Sequence, residues 1–245
     1  MAAVSETAVT QSGIEKEEVQ PASHACPVDS ESLDQLIPVL RRECEDDSAL
    51  AYERFTKICP QLTAAEVDMC KGFDYEDASL KLPCGPLPWP EGFPTPGYVP
   101  KTNLFSGHWV VPNHPGNLYV RINQQGDVFT FDASTTLYVR PKRTFQCGHY
   151  YHEPLVSGKN VFVCWSLADD SLLVGFHWTM ETGLCNRFER RIFSHGDFTF
   201  LRQASSGSDG QISSIFFVKV SDDPESLPES IQNRDYTALA GQKNV

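Results

Sequence analysis

Residues Phe145 to Phe200 read FQCGHYYHEPLVSGKNVFVCWSLADDSLLVGFHWTMETGLCNRFERRIFSHGDFTF, and the apolar positions in them recur every second residue rather than every third or fourth. A period of two puts alternate side chains on opposite faces of a pleated strand, so this stretch is β-structure. Its interruptions carry turn chemistry: Ser157-Gly158-Lys159-Asn160, Ala168-Asp169-Asp170-Ser171, Glu181-Thr182-Gly183 and Ser194-His195-Gly196-Asp197. Four of the seven histidines and two of the four tryptophans also fall here, which makes it the place to look for a pocket.

Working outward, the same period runs from Asn103 to Val220. It predicts strands over 105–111, 118–123, 127–132, 136–140, 145–152, 160–166, 171–180, 186–193, 198–203 and 212–220. Every connection is short, as successive hairpins require. An antiparallel meander of this kind loses its exposed edges by closing on itself, and a mainly β barrel of eight to ten strands over residues 102–220 is the expected fold. A β-sandwich is the competing layout, but sandwiches usually include longer Greek-key crossings.

Before the strands the chain changes character three times. Residues 1–25 are polar, small and without aromatics, the composition of a disordered tail, and 221–245, polar and proline-broken, read as a second. Residues 26–80 show helical spacing, first at Leu33, Leu36, Ile37 and Leu40 around Pro38, then at Leu50, Tyr52, Phe55 and Ile58. A third short helix begins at Thr63-Ala64-Ala65-Glu66, a capping box. It would turn Val67 and Met69/Cys70 inward and stop at Gly72. Residues 81–101, KLPCGPLPWPEGFPTPGYVPK, hold seven prolines. They form a stiff extended strap anchored by Trp89, Phe93 and Tyr98, either a connector across the surface or a lid over a barrel mouth.

Charge narrows the function. The net charge of -12 is concentrated outside the strands: residues 102–220 carry ten Lys/Arg against nine Asp/Glu, residues 26–101 seven against fourteen. Without a basic stripe there is no counterion release to drive nucleic-acid binding, and Arg140-Pro141-Lys142-Arg143 reads as a solvated turn. No apolar run is long enough to cross a membrane and no signal-like N-terminus is seen, so a cytoplasmic location is expected. The eight cysteines lack C-x-x-C or zinc-ligand spacing and read as free, mostly structural thiols.

Leu104-Phe105-Ser106-Gly107-His108-Trp109 resembles the Gly-x-Trp signature that opens lipocalin-like (calycin) barrels, in which the tryptophan closes one end. From Asn117 to Trp178, a tyrosine-bearing hairpin, a Gly-aromatic strand and then VFVCWSLADDSLLVGFHW are similar in order to phenolic acid decarboxylases and the molybdenum-cofactor-F-type proteins, which share that barrel. The resemblance implies the fold more than the activity. Those decarboxylases use two tyrosines on an early strand with an arginine and a glutamate. Here Tyr119 has no tyrosine two residues away, Gly148-His-Tyr-Tyr-His152 carries no arginine, and the turn after Trp165 offers Asp169 or Asp170.

The candidate chemistry depends on which strand face points inward. In Gly148–Glu153, His149 and Tyr151 share one face and Tyr150 and His152 the other. An inward His/Tyr pair suits general acid–base catalysis near neutral pH, the alternative being amphipathic residues at a rim. On 171–180, Leu172, Val174, Phe176 and Trp178 oppose Leu173, Gly175, His177 and Thr179. His177 lines the cavity only if the helices cover the apolar set. Arg187, Glu189 and Arg191 form a solvated ladder, whereas Arg190 sits among Phe188 and Ile192, where it either reads an acidic group on a ligand or pairs with an internal carboxylate. His149, Tyr151, His177 and Arg190 are the catalytic candidates; Trp109, Tyr119, Trp165, Phe176 and Trp178 are the binding candidates.

His149, His152 and Glu153 or His177 include metal-ligand types, but no cupin-like spacing, phosphate loop or nucleophile motif occurs, and neither a metal nor a cofactor is expected. The expected partner is a small aromatic or lipophilic molecule, with no nucleic acid and no membrane. Two activities fit it: a cofactor-independent lyase, isomerase or cyclase, or a non-catalytic carrier or sensor. A filled barrel would favour a third, an interaction scaffold using the acidic helices.

Overall fold

A computed structural model describes residues 33, 35–42, 61–75, 77, 81–112, 118–134, 142–154, 159–206 and 212–226. Ten strands follow one another in it: β1 (Gly107–Val110), β2 (Tyr119–Gln125), β3 (Val128–Ser134), β4 (Arg143–Gln146), β5 (Tyr150–Pro154), β6 (Asn160–Asp169), β7 (Leu172–Thr179), β8 (Cys185–His195), β9 (Phe198–Ser206) and β10 (Ile212–Ser221). All belong to one antiparallel sheet of order β4-β3-β2-β1-β10-β9-β8-β7-β6-β5. The first strand pairs with the last, and the two ends of the order, β4 and β5, are joined by residues 147–149 alone, so the ends must meet in space. The expected barrel is the observed fold.

One expected strand is two. The spacing predicts one strand over 145–152, but Gly148 adopts φ 86 and turns the chain between β4 and β5. A side chain there would also meet the Pro96 Cβ at 2.6 Å. The turn is fastened where Gly148 N–H donates to Trp165 O and Cys84 N–H donates to Gly148 O, 2.8 and 2.9 Å. The expected strand over 136–140 and the expected second helix around 49–58 lie outside the described residues.

The two described helices cover the barrel's outer face. Residues 33 and 35–42 form α1, whose Leu33 and Leu40 pack against Phe200, Phe216 and Val218 of β9 and β10. Pro38 lies inside α1, not at its edge. Ala64–Lys71 form α2, with Thr63 and Glu66 closing the capping box, and Val67 and Cys70 packing on Phe162, Phe176 and Trp178 of β6 and β7. Met69, expected to face inward with Cys70, is 51 % exposed, and Gly72 ends α2 in an ordinary right-handed conformation.

Trp89 and Phe93 of the strap dock on that same outer wall, whereas Tyr98 packs against the cluster inside the barrel. Phe93 meets Phe176 edge-on at 4.6 Å, Trp89 meets Tyr150 at 5.4 Å, and the Tyr98 hydroxyl donates to Asp170 at 2.8 Å. Among the described residues no helix is long and apolar enough to cross a membrane. The five described cysteines, Cys70, Cys84, Cys147, Cys164 and Cys185, are free thiols, all but Cys185 buried.

Candidate functional site

Because α2 and the strap cover Leu172, Val174, Phe176 and Trp178, the other face of β7 is the inner one. Alternation then fixes the lining: Val120, Phe129, Phe131, Phe145, Val163, Trp165, Leu173, Ile192, Leu201 and Phe217 form one internal cluster, with Tyr151 and Phe188 packed against it. At one end Phe105, Trp109, Ile122 and Phe129 are wholly buried. There Trp109 Nε1–H donates to Phe105 O at 2.9 Å and Lys219 Nζ lies 4.9 Å over the indole, so this end is plugged.

Further along, the inward residues Tyr151, His177, Phe188, Arg190 and Gln203 keep partial accessibility inside the barrel. They surround Trp165. Its Nε1–H donates to Tyr151 Oη at 2.8 Å, and the Arg190 guanidinium stacks over its ring at 4.7 Å and over Phe131 at 4.2 Å. Arg190 Nε–H also donates to Gln203 Oε1 at 3.0 Å. Trp165 meets His177 edge to face at 5.7 Å, and Phe188 covers the imidazole at 4.2 Å.

Gly175 makes this seat. A Cβ at residue 175 would stand 2.4 Å from Trp165 Cε3 and 2.5 Å from Cδ2. Gly175→Ala should therefore displace a ring that has nowhere to go, costing roughly 1–3 kcal/mol, and shift the tryptophan emission. Urea unfolding followed by fluorescence measures both.

An ion pair the sequence reading did not find closes the seam between the sheet's two ends. Arg143 of β4 bonds to Glu153 of β5, which is 5 % exposed, while Phe145 stacks on Tyr151 at 5.8 Å across the same gap. The signal was available. Arg143 shares parity with inward Phe145, and Glu153 with inward Tyr151. The first was absorbed into a solvated basic turn and the second was weighed only as a metal ligand.

Several candidates stand elsewhere. Tyr119 faces outward and bonds His108, in a small outer cluster with Val110. Phe176 and Trp178 lie under the strap, so the expected internal wall keeps Trp165 but not these two. Trp109 is inward but within the plugged end. His149 pairs with Cys84 beside the Gly148 turn, where burial lowers its pKa against the pull of Asp127. His152 is outside, its ring donating to Cys70 O at 3.2 Å. The ladder of Arg187, Glu189 and Arg191 is ion-paired, at 3.2 and 3.7 Å, but Arg187 is buried rather than solvated and its guanidinium lies 5.9 Å over Phe176. Among the described residues no group of three or more His, Cys, Asp or Glu is placed to hold a metal.

Electrostatics change the expected chemistry. Burial, reinforced by Glu153, pushes the Tyr151 phenol far above its ordinary range. Burial, then Arg190 and Arg143, pull His177 down to about 3. Both groups are neutral across the physiological range, so the interior offers neutral hydrogen-bonding groups beside fixed charge, not a proton-transfer pair poised near pH 7. The Nε2 of His177 is enclosed with no hydrogen-bond partner among the described residues. Such an orphan costs about 1–3 kcal/mol.

Comparison with known proteins supplies the family. The model of the luciferase catalytic domain matches residues 25–114 and 111–245. The dinoflagellate luciferase of Lingulodinium polyedra is 47% identical over 247 residues, covering 88% of this chain; the chain spans 20% of that relative's length. The crystal structure of a luciferase domain from the dinoflagellate Lingulodinium polyedrum superposes with TM-score 0.64 at 46% identity, over 87% of this chain and 70% of that one. The barrel is common to this result and to the lipocalin-like expectation; the decarboxylase and molybdenum-cofactor-F-type kinship is not what the comparisons report. With the matched segments spanning nearly its whole length, the chain belongs to the luciferase catalytic domain family.

Proposed function

We propose that this chain is a luciferase: it binds a small lipophilic, conjugated molecule in the barrel and catalyses its oxidation by dioxygen with emission of light. What carries the reading is the polar group of Tyr151, His177 and Arg190 around Trp165 in an interior lined mostly by aromatic and aliphatic side chains, in a family whose relatives are luciferases. The substrate is oxidised, dioxygen is reduced, and part of the released energy leaves as a photon. Lyase, isomerase or cyclase turnover does not release energy on the scale of visible light, and it would want an acid–base pair near neutrality, which Tyr151 and His177 are not. Their contribution in this reading is to hold the substrate in a dry, rigid cage, where fixed hydrogen-bonding groups act strongly and water does not quench the excited product. Free thiols suit a reducing compartment such as the cytoplasm.

The test mixes the purified chain with a small-molecule extract of Lingulodinium polyedra cells and counts photons in air and under nitrogen, with the related luciferase domain as positive control. Light in air and darkness under nitrogen is the expected result. Darkness in both while the control emits overturns the reading, and saturable binding of an extract component without light would make the chain a carrier.

A further inference from the structure

We infer that His177 Nε2 is a recognition point for the ligand, and that it selects molecules carrying an uncharged N–H or C=O within an otherwise apolar conjugated framework. The inference rests on the reading that the barrel holds a small molecule and goes further by naming the polar feature that molecule must present.

Four observations converge. His177 is on the inner face of β7, in register with Val163 and Asn186, so its ring belongs to the lining. The ring is held from two sides, by Trp165 edge to face at 5.7 Å and by Phe188 at 4.2 Å, which leaves it little freedom to rotate toward a protein partner. Trp165 itself occupies the space that Gly175 leaves beside His177. Yet Nε2 is enclosed with no hydrogen-bond partner among the described residues; Ser166 Oγ shares that state, but on the outward face of β6, whereas Nε2 lies in the lining, where Trp165 Nε1 and Arg190 Nε are bonded to Tyr151 and Gln203. Buried polar atoms are nearly always satisfied, so an orphan held rigid beside aromatic walls marks the place where a ligand completes the pairing.

The chemistry of the partner follows from charge. Burial, and after it the guanidiniums of Arg190 and Arg143, disfavours protonation of the imidazole, so it meets the ligand as a neutral group. Nε2 then either accepts from an N–H or donates to a carbonyl, depending on the tautomer. An apolar ligand leaves it unpaired and binds correspondingly less well.

Three tricyclic probes of nearly one shape make the test: fluorene, which offers neither group, carbazole, which offers N–H, and 9-fluorenone, which offers C=O. Binding is followed by quenching of tryptophan fluorescence in the full chain. Carbazole or fluorenone is expected to bind at least about tenfold more tightly than fluorene, and which one does so identifies the tautomer. His177→Leu should abolish the preference, and His177→Gln, which keeps a donor and an acceptor, should restore part of it. His177→Leu should also raise the melting temperature, because it removes an unsatisfied polar atom; a histidine with a purely structural bond would lower it. Equal affinities, as a water kept on Nε2 would give, overturn the inference, and so does the absence of saturable binding by all three. Equal affinities in a chain that still emits light remove the role of His177 alone. A probe preference in a chain that emits no light removes the luciferase reading alone.

Discussion

Glu153→Ala should lower the unfolding free energy by about 3 kcal/mol, the low end for breaking a buried pair because the Arg143 side chain stays 24 % exposed. The carboxylate is 5 % exposed, and water meets only part of the charge abandoned on the Arg143 guanidinium beside it. Removing one partner of a buried pair leaves the other charge uncompensated, and that penalty exceeds the worth of the pair itself. The location adds a second effect. Elsewhere neighbouring strands are held by backbone ladders, whereas β4 and β5, at opposite ends of the strand order, meet through Arg143–Glu153 and the stacking of Phe145 on Tyr151. Hydrogen exchange in Arg143–Gln146 and Tyr150–Pro154 should therefore quicken more than in β8 or β9. The double replacement Arg143→Met with Glu153→Met should recover most of the stability, and denaturant titration of the three proteins tests it. If the single and double variants are equally unstable, the pair is not what closes the seam.

The second large effect is acid sensitivity. His177 has a folded pKa of about 3 against about 6.5 when unfolded. Below 6.5 the unfolded chain takes up a proton that the folded chain refuses, so stability is complete above that pH and is lost as pH falls toward 3. The integrated loss is on the order of 3–5 kcal/mol by pH 3, the lower figure allowing for partial hydration of the lining. His108 and His149 are shifted in the same direction, mainly by burial, and add to the slope. Thermal unfolding of the wild type and of His177→Leu at pH 7.5, 6, 5 and 4 should give curves that diverge as pH falls, the variant losing less. Parallel curves would place the imidazole in water rather than inside the barrel.

How much of this was legible in the letters can be judged residue by residue. The short apolar runs Val161–Trp165 and Leu172–Trp178 and the turn residues between them define the meander, because run length and hairpin chemistry are local properties. Thr63 and Glu66 define the cap of α2 for the same reason. The inward face of β7 was not legible. Both of its faces carry large apolar groups, and the choice between them is made by Val67, Cys70 and Phe93, which reach Phe176 and Trp178 from distant parts of the chain. Phe176 and Trp178, the most conspicuous binding candidates, are thus a buried outer seam, and the less conspicuous Gly175 and His177 line the interior. Gly148 was the available sign that 145–152 is two strands, since an isolated glycine within a strand pattern marks a bend or a close approach. The parity that turns Arg143 and Glu153 inward was legible, but not that the two meet, because their contact depends on the sheet curling until its two ends come together.

The central claim is that the work is done on the inner face around Trp165 and not on the equally aromatic outer face. The most direct measurement is light yield per folded molecule for Trp165→Phe and Trp178→Phe, with the folded fraction set by circular dichroism and the Lingulodinium polyedra extract as substrate source. Trp165→Phe removes the N–H that Tyr151 accepts and part of the surface under Arg190, and is expected to reduce light at least about tenfold. Trp178→Phe should emit like the wild type once corrected for folding. Equal losses in the two variants, or a loss confined to Trp178→Phe, would contradict the account.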